Sequence, residues 1–171
     1  LNKLPNFLKK MYFKPALFLD RDGVINKDIG YLYKIKDFIW KPNILKLIKK
    51  YNDNNHYVFV ITNQSGIGRG FYKEQDFYHL THWINKKVRS KGGNIEEFFF
   101  APYYKYSKKK KYRQNYNLRK PNIGMIKLAL KKWNINLKKS LLIGDSYSDL
   151  QTARNANIRC KIIPFEKKVK F

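Results

Sequence analysis

Short apolar segments alternate with amphipathic segments along almost the whole chain, and this alternation restricts the possible folds more than any other feature. The predicted strands cover residues 15–20, 56–62, 95–101, 140–145 and 158–164. The predicted helices cover residues 42–52, 73–90, 121–134 and 148–157. Strands that are separated by helices pair in parallel, and the helices then cover both faces of the sheet. The sequence therefore predicts an α/β fold with a Rossmann-like, doubly wound parallel sheet.

The length of 171 residues fits one domain of this kind. We predict a single domain over residues 15–171, preceded by an N-terminal extension over residues 1–14. Met11 is an alternative start of translation, and no export signal is predicted in the first residues. The segment between Asp22 and the helix at 42 has about 20 residues, whereas a separate cap domain needs about 50. The predicted active site is therefore open.

The chain is strongly basic, with 37 lysine and arginine residues against 12 acidic residues and a formal net charge of +25. Most of the lysines are spread over every predicted element, and only residues 105–113 form a cluster. This scatter favours a solvated surface over a dedicated polyanion site, but a nucleic-acid partner stays open. No apolar run approaches the ~20 residues of a membrane helix. With Cys160 as the only cysteine, we expect a cytoplasmic monomer without disulfides or a membrane partner.

Polar side chains follow the predicted strands at the points where those strands end. Asp20 and Asp22 follow the first strand, "TNQSGIGRG" (62–70) follows the second, and Asp145 ends the fourth. Because ligands of parallel sheets bind beyond the carboxyl ends of the strands, these groups should meet in one site. Three converging carboxylates would repel each other unless a hard cation lay between them. The sequence therefore predicts a Mg²⁺ site.

The same edge of the sheet offers groups that bind phosphate. The Thr62 hydroxyl, nearby amides and the pair Arg119–Lys120 would surround a phosphoryl group. An aspartate beside Mg²⁺ can attack phosphorus, and a second aspartate can help form and hydrolyse the aspartyl phosphate. Each motif by itself is common in turns and helix caps. Together, with Asp149 just after Asp145, they hold four of the 12 acidic residues, which favours an enzyme site over a structural explanation.

The segments "FLDRDGVIN", "TNQSGIGRG", "RKPNIGM" and "IGDSYSDLQTA" resemble the four signature motifs of the haloacid dehalogenase (HAD) superfamily of phosphatases, from about residue 15 to 164. The resemblance implies the HAD fold without a large cap domain and a Mg²⁺-dependent phosphomonoester hydrolase. Within the superfamily, the four motif sequences are similar to those of the D-glycero-D-manno-heptose 1,7-bisphosphate 7-phosphatases. Ser65 and Arg69 favour this group over the related histidinol-phosphatases. A histidinol-phosphatase, or a polynucleotide 3′-phosphatase that uses the basic surface, are the alternatives.

The resemblance also implies roles for individual residues. Asp20 would be the nucleophile and Asp22 the general acid and base, while Thr62 and Lys120 would hold the transferring phosphoryl group. Mg²⁺ would be bound by Asp20, the backbone carbonyl of Asp22, and Asp145. The substrate, a small phosphorylated sugar, would be contacted by Arg21, Asp28, Gly30, Tyr31, Asn63, Gln64, Ser65 and Arg119.

Two departures from the family pattern bear on the finer assignment. Members often bind a structural zinc ion through two cysteine-containing pairs in the loop before "RKP". Here the four positions hold Ala101, Tyr103, Tyr116 and Leu118, so no structural zinc is expected. Ser146 stands where the family usually has a lysine after Gly-Asp, which leaves the exact sugar substrate open.

Overall fold

A computed structural model describes residues 13–163 of the chain. Its five strands are β1 (Ala16–Leu19), β2 (Tyr57–Asn63), β3 (Glu97–Ala101), β4 (Leu141–Gly144) and β5 (Arg159–Ile162). They form one sheet in the order β3-β2-β1-β4-β5, and every pair is parallel. The predicted α/β fold is thereby confirmed. Most of the predicted N-terminal extension, together with Met11, lies outside the described residues.

The five helices are α1 (Ile44–Asp53), α2 (Ser65–Arg69), α3 (Glu74–Arg89), α4 (Gly124–Lys132) and α5 (Tyr147–Asn155). Helix α2 was not predicted, because a five-residue helix is too short to show a periodic pattern. Helix α4 begins three residues after Pro121, where its start was predicted, because Arg119 and Asn122 close a turn first. Between residues 13 and 163, no helix combines the length and apolarity needed to cross a bilayer.

Apolar side chains on the two faces of the sheet build two separate cores. Leu17 and Leu19 of β1 face the layer that α1 and α3 supply, which includes Ile48 and Ile84. The intervening residue Phe18 faces the opposite layer, which α4 and α5 supply. This alternation follows from the two-residue period of a strand. Because both faces of the sheet are covered, β1 and residues 58–61 of β2 are apolar.

The sheet is extended on both sides of β1, and the change from one side to the other takes place between β1 and β4, which are parallel neighbours. From β1 the sheet grows through β2 to β3 on one side, and β4 starts the growth on the other side. Leu19 pairs with Ile143, and the Asp20 backbone N–H donates to the Ile143 carbonyl oxygen at 2.9 Å. The loops after β1 and β4 therefore separate at a topological switch point, which is where open α/β sheets bind ligands.

Candidate active site

A cleft of about 170 Å³ opens at this switch point, beyond the carboxyl ends of β1, β2 and β4. Most of its lining consists of side chains from the four separate segments that the sequence predicts to form the site. The lining residues are Asp20, Asp22, Asp28, Thr62, Asn63, Lys120, Asp145, Ser146 and Ser148. The fold thus collects scarce acidic groups, hydroxyl groups and one lysine in a single small space.

Lys120 lies at the base of the cleft between two carboxylates. Its Nζ atom is 3.0 Å from Asp20 Oδ1 and 2.6 Å from Asp149 Oδ1, and its side chain is only 2% exposed. Burial lowers the pKa of Lys120, but the two carboxylates outweigh this effect, so the pKa lies above its usual value. Burial also raises the pKa of Asp20 to about 7, against the attraction of Lys120. An added positive charge near Asp20 would therefore favour its ionised form.

Three carboxylates converge beside this lysine in a way that suits a divalent cation. Asp20, Asp145 and Asp149 each offer an oxygen within 4.8 Å of the others. Burial, with repulsion from Asp149, raises the pKa of Asp145 to about 6. Both oxygens of Asp149 already accept hydrogen bonds, from Lys120 and from Ser146. Asp20 and Asp145 are therefore the carboxylates best able to bind a hard cation, which agrees with two of the predicted ligands.

Gly23 allows the loop after β1 to approach Asp145. Its φ angle is +82°, in the left-handed region, and a Cβ atom at this position would overlap the Asp145 carboxylate. A glycine is needed here on both counts. The close approach keeps the turn that carries Asp20 and Asp22 against the end of β4.

The Asp22 side chain lies at the cleft, but its carboxylate is turned toward three donors. Arg21 Nη2 donates to both of its oxygens at 2.9 Å, Asn26 Nδ2 donates at 3.0 Å and Gln64 Nε2 donates at 3.1 Å. Arg21 is completely buried, and Gln64 is 2% exposed. The structure thus differs from the predicted substrate contacts for Arg21 and Gln64. Both side chains lie beneath the cleft and orient Asp22 instead.

Asn63 supports the phosphate-binding side of the cleft through the backbone of Lys120. Its Oδ1 accepts from the Lys120 N–H at 2.9 Å, and its Nδ2 donates to the Lys120 carbonyl oxygen at 3.1 Å. These two hydrogen bonds join segments that are 57 residues apart in sequence. Thr62 is 1% exposed, and its Oγ1 accepts from Gln64 at 2.9 Å. Asn63, which was predicted to contact substrate, lines the cleft, and its amide also holds the backbone of Lys120.

The other substrate residues predicted after β1 and β2 are Asp28, Gly30, Tyr31 and Ser65, and Asp28 is a lining residue of the cleft. Asp28 accepts from the Gly30 N–H at 2.8 Å, whereas Ser65 begins α2. Tyr31 is exposed, and its ring packs edge-on against Phe71 at 4.7 Å.

Two arginines form a cationic rim with this tyrosine. The Arg69 guanidinium lies 6.0 Å from the Tyr31 ring and 3.9 Å from the Tyr104 ring. Burial, with repulsion from Arg69, lowers the pKa of Arg119, although a guanidinium stays charged in proteins. The buried Nη1 atom of Arg119 has no hydrogen-bond partner. The rim of Arg69 and Arg119 therefore has unused capacity to bind an anion.

The loop over residues 102–118 is held by side chains at its centre. Tyr112 is 6% exposed, packs with Phe77, and donates to Glu74 Oε1 at 2.5 Å. Lys111 Nζ lies 3.1 Å from the same oxygen. The hydrogen bond from Tyr112 is the main cause that lowers the pKa of Glu74. This contact fastens the loop to the first turn of α3.

We expect Tyr112→Ala to release this loop without unfolding the domain. Losing the buried ring and its hydrogen bond should lower the free energy of local opening by ~1.4 kcal/mol or more, so that trypsin cleaves residues 105–113 about tenfold faster. Tyr106→Ala is the matched control, because Tyr106 lies in the same loop and is 69% exposed. Equal cleavage rates for the two variants would contradict the proposed role of Tyr112.

Four residues of the site were not assigned from the sequence: Arg69, Tyr72, Ser148 and Asp149. Asp149 had a signal, because "GDSYSD" places a second carboxylate one helical turn after Asp145. Its partner Lys120 is 29 residues away, and that pairing is visible only in three dimensions. Tyr72, which donates to Gln64 Oε1, has no sequence signal that separates it from the other aromatic residues.

The sequence is similar to those of known phosphatases. The sequence matches the family described as "Polynucleotide kinase 3 phosphatase" over residues 20–165. The D-glycero-alpha-D-manno-heptose-1,7-bisphosphate 7-phosphatase of Photorhabdus laumondii subsp. laumondii is 40% identical over 85% of this chain and 80% of its own. The enzyme of the same name from Campylobacter jejuni is 39% identical over 90% of this chain and 84% of its own.

A solved structure extends these similarities to three dimensions. The D,D-heptose 1.7-bisphosphate phosphatase from B. bronchiseptica, complexed with magnesium and phosphate, superposes with a TM-score of 0.74. It is 27% identical, and the match covers 86% of this chain and 79% of that chain. The resemblance inferred from the four motifs is confirmed. The chain belongs to the HAD superfamily of phosphatases, within the polynucleotide kinase 3 phosphatase family and among relatives named as heptose bisphosphate 7-phosphatases.

Proposed function

We propose that the protein is a Mg²⁺-dependent phosphomonoester hydrolase that removes the phosphate at carbon 7 of a D-glycero-D-manno-heptose 1,7-bisphosphate. The observation that carries this proposal is the position of Asp20. Its carboxylate ends a buried strand, opens into the cleft and lies 3.0 Å from a buried lysine. A nucleophile of this kind, with a fixed cation beside it, suits an electron-rich phosphoryl group.

In the proposed first step, an Asp20 carboxylate oxygen attacks phosphorus, and the bond between phosphorus and the ester oxygen breaks. Asp22 gives a proton to the departing sugar oxygen, and the phosphoryl group stays on Asp20 as an aspartyl phosphate. In the second step, Asp22 takes a proton from a water molecule that attacks the same phosphorus. Inorganic phosphate leaves, and the Asp20 carboxylate is restored. Thr62 and Lys120 contact the phosphoryl oxygens in both steps.

Asp20, the backbone carbonyl of Asp22, and Asp145 would hold Mg²⁺. The ion would neutralise the carboxylates and the phosphoryl oxygens, so that an anionic nucleophile can approach an anionic substrate. The raised pKa values of Asp20 and Asp145 support this assignment, because each carboxyl is hard to ionise while no cation offsets its burial. Asp149 would act on Lys120 rather than as a direct ligand.

The names of the relatives and the cationic rim support the choice of a bisphosphate. Arg119 directly precedes Lys120 and has a buried nitrogen atom without a partner, and Arg69 lies close enough to lower the pKa of Arg119. A second phosphate on the sugar would satisfy this atom and offset the repulsion between the two arginines. Ser146 and Ser148 line the cleft with hydroxyl groups that suit sugar hydroxyls.

A polynucleotide 3′-phosphatase is the second candidate, favoured by the description of the matching family and by the net charge of +25. Lys108, Lys109 and Lys110 are exposed in the loop that precedes Arg119 and Lys120, and they would face a nucleic-acid backbone. Phosphate contacts of this kind weaken steeply with salt, because counterions compete for them. A small sugar bisphosphate would show a shallower salt dependence.

We further expect the enzyme to act as a monomer in the cytoplasm. Cys160 is a free cysteine, and burial raises the pKa of its thiol. A thiol of this kind is poorly reactive and suits a reducing compartment. Gel filtration at micromolar concentration should give the mass of one chain, and elution as a dimer would contradict this expectation.

The experiment that tests the proposed function measures phosphate release with Mg²⁺ from four substrates: the alpha and beta anomers of the heptose 1,7-bisphosphate, histidinol phosphate and a 3′-phosphorylated oligonucleotide. We expect kcat/KM for one heptose anomer to exceed the values for the other two substrate classes by at least about 100-fold. The highest kcat/KM on the oligonucleotide, with a steep salt dependence, would replace the proposal with the second candidate. The highest value on histidinol phosphate would also overturn it.

A further inference from the structure

Arg21 is a completely buried cation next to the proposed general acid and base. It is 0% exposed, so its guanidinium cannot reach a substrate. Its Nη2 atom donates to both oxygens of Asp22 at 2.9 Å, and its Nε atom donates to Asp22 Oδ1 at 3.2 Å. These bonds leave the carboxylate little freedom to rotate, because they hold both of its oxygens from one side.

The same Nη2 atom connects Asp22 to the flap, which we define as residues 27–38. It donates to the Leu32 carbonyl oxygen at 2.8 Å. The flap contains Asp28, which lines the cleft, and Tyr31, whose ring lies 6.0 Å from the Arg69 guanidinium. Arg21 therefore joins the proposed acid and base to the segment that would contact the sugar.

A second set of contacts connects the flap to Asp22. The rings of Tyr33 and Tyr72 stack at 5.1 Å and 7°, and the Tyr72 hydroxyl donates to Gln64 Oε1. Gln64 Nε2 then donates to Asp22 Oδ2 at 3.1 Å. Two separate connections thus fix the orientation of one carboxylate relative to the flap.

Stability alone does not account for Arg21. Its Nη1 atom is buried without a hydrogen-bond partner, and its guanidinium carbon lies 5.9 Å from the centre of the Phe77 ring. A buried ion pair with unsatisfied groups repays little of its desolvation cost, and well-packed apolar residues often stabilise a fold as well or better. An arrangement of this kind is better explained by the geometry that it imposes on Asp22.

We propose that Arg21 is a positioning residue, which fixes the Asp22 carboxylate for proton transfer and ties it to the flap. The inference rests on the proposed function, because it takes Asp22 as the group that protonates the leaving oxygen. Protonation matters for a sugar alkoxide, which is a poor leaving group. It matters little for 4-nitrophenolate, which departs as a stable anion. A misplaced Asp22 should therefore slow the first substrate selectively.

The test compares kcat/KM of Arg21→Lys on the heptose 1,7-bisphosphate and on 4-nitrophenyl phosphate. The lysine keeps the positive charge but cannot form the two-pronged contact of a guanidinium. We expect a loss of about 30-fold on the heptose bisphosphate, which is part of the roughly 10²- to 10⁴-fold that general acid catalysis supplies, and less than about 3-fold on 4-nitrophenyl phosphate. Arg154→Lys, on the exposed side of α5, is the matched control and should change neither value.

A double variant provides the second readout. Asp22→Asn should show the same selective loss, and adding Arg21→Lys to it should cause no further loss on the heptose bisphosphate, because the two residues act through one proton transfer. Equal losses of Arg21→Lys on both substrates, or additive effects in the double variant, would overturn the inference. An inactive wild-type protein would overturn the proposed function itself, and the inference with it.

Tyr72→Phe keeps the test decisive if Arg21→Lys does not fold. This change removes the hydroxyl that donates to Gln64 and leaves the ring and every charge in place. We expect the same selective pattern at about 3-fold, since one of the two connections to the flap is lost. Unchanged or equally lowered kcat/KM on the two substrates would count against the inference.

Discussion

Asp20→Asn should abolish phosphate release while the fold stays intact. The amide has nearly the shape of the carboxylate, but it cannot attack phosphorus and carries no charge for Mg²⁺. Removing a covalent nucleophile should lower kcat by at least about 10⁴-fold. Phosphate release at saturating substrate measures the loss, and acid quenching should trap a phosphorylated chain in the wild-type protein but not in the variant.

Asp53→Asn is the matched control for this prediction. Asp53 is exposed, pairs with Lys49 at 2.6 Å on the surface of α1, and is not one of the residues that line the cleft. The same chemical change there should leave kcat within about twofold, because exposed ion pairs contribute little. Activity of Asp20→Asn within tenfold of the wild-type value would remove Asp20 as the nucleophile.

Lys120→Met should have the second-largest effect, and it should lower both activity and stability. The variant leaves Asp20 and Asp149 buried without the cation that separates them. Removing one partner of a buried pair costs about 3–5 kcal/mol, so we expect the free energy of unfolding to fall by roughly 3 kcal/mol without Mg²⁺. Losing the charge that faces the phosphoryl group should lower kcat/KM by about 10³-fold.

Lys132→Met separates this effect from a general loss of positive charge. Lys132 pairs with Glu97 at 2.7 Å, but its side chain is 57% exposed. A surface pair of this kind is worth less than about 1 kcal/mol, so urea unfolding should place this variant close to the wild-type protein. Similar losses of unfolding free energy in the two variants would show that the buried ion pairs of Lys120 contribute no more to stability than an exposed ion pair.

The two substitutions answer different questions about the cleft. Asp20→Asn tests whether the chemistry is covalent, and Lys120→Met tests whether the cleft depends on a fixed internal charge. The buried lysine also explains why Asp149 needs no direct contact with a metal ion or substrate. Asp149 Oδ1 lies 2.6 Å from Lys120 Nζ, and this contact holds the ammonium group in place.

The sequence alone was sufficient for the fold class and for the location of the site. Strands and helices produce periodic patterns among near neighbours, so the alternation of segments predicted the parallel sheet. The carboxyl ends of parallel strands lie at one edge, so Asp20, Thr62 and Asp145 could be brought together before their distances were known. Both inferences depend on local pattern and on a general rule of topology.

Only the tertiary structure decided which partner each polar side chain has. Arg21 and Gln64 look like site residues in the sequence, but packing turns them inward onto Asp22. Asn63 clamps the backbone of Lys120 across 57 residues, and Tyr112 reaches Glu74 across 38. Contacts between such distant positions leave no periodic trace, because they depend on how whole elements pack. The sequence predicted which segments meet at the cleft, and packing determined which of their side chains line it and which lie beneath it.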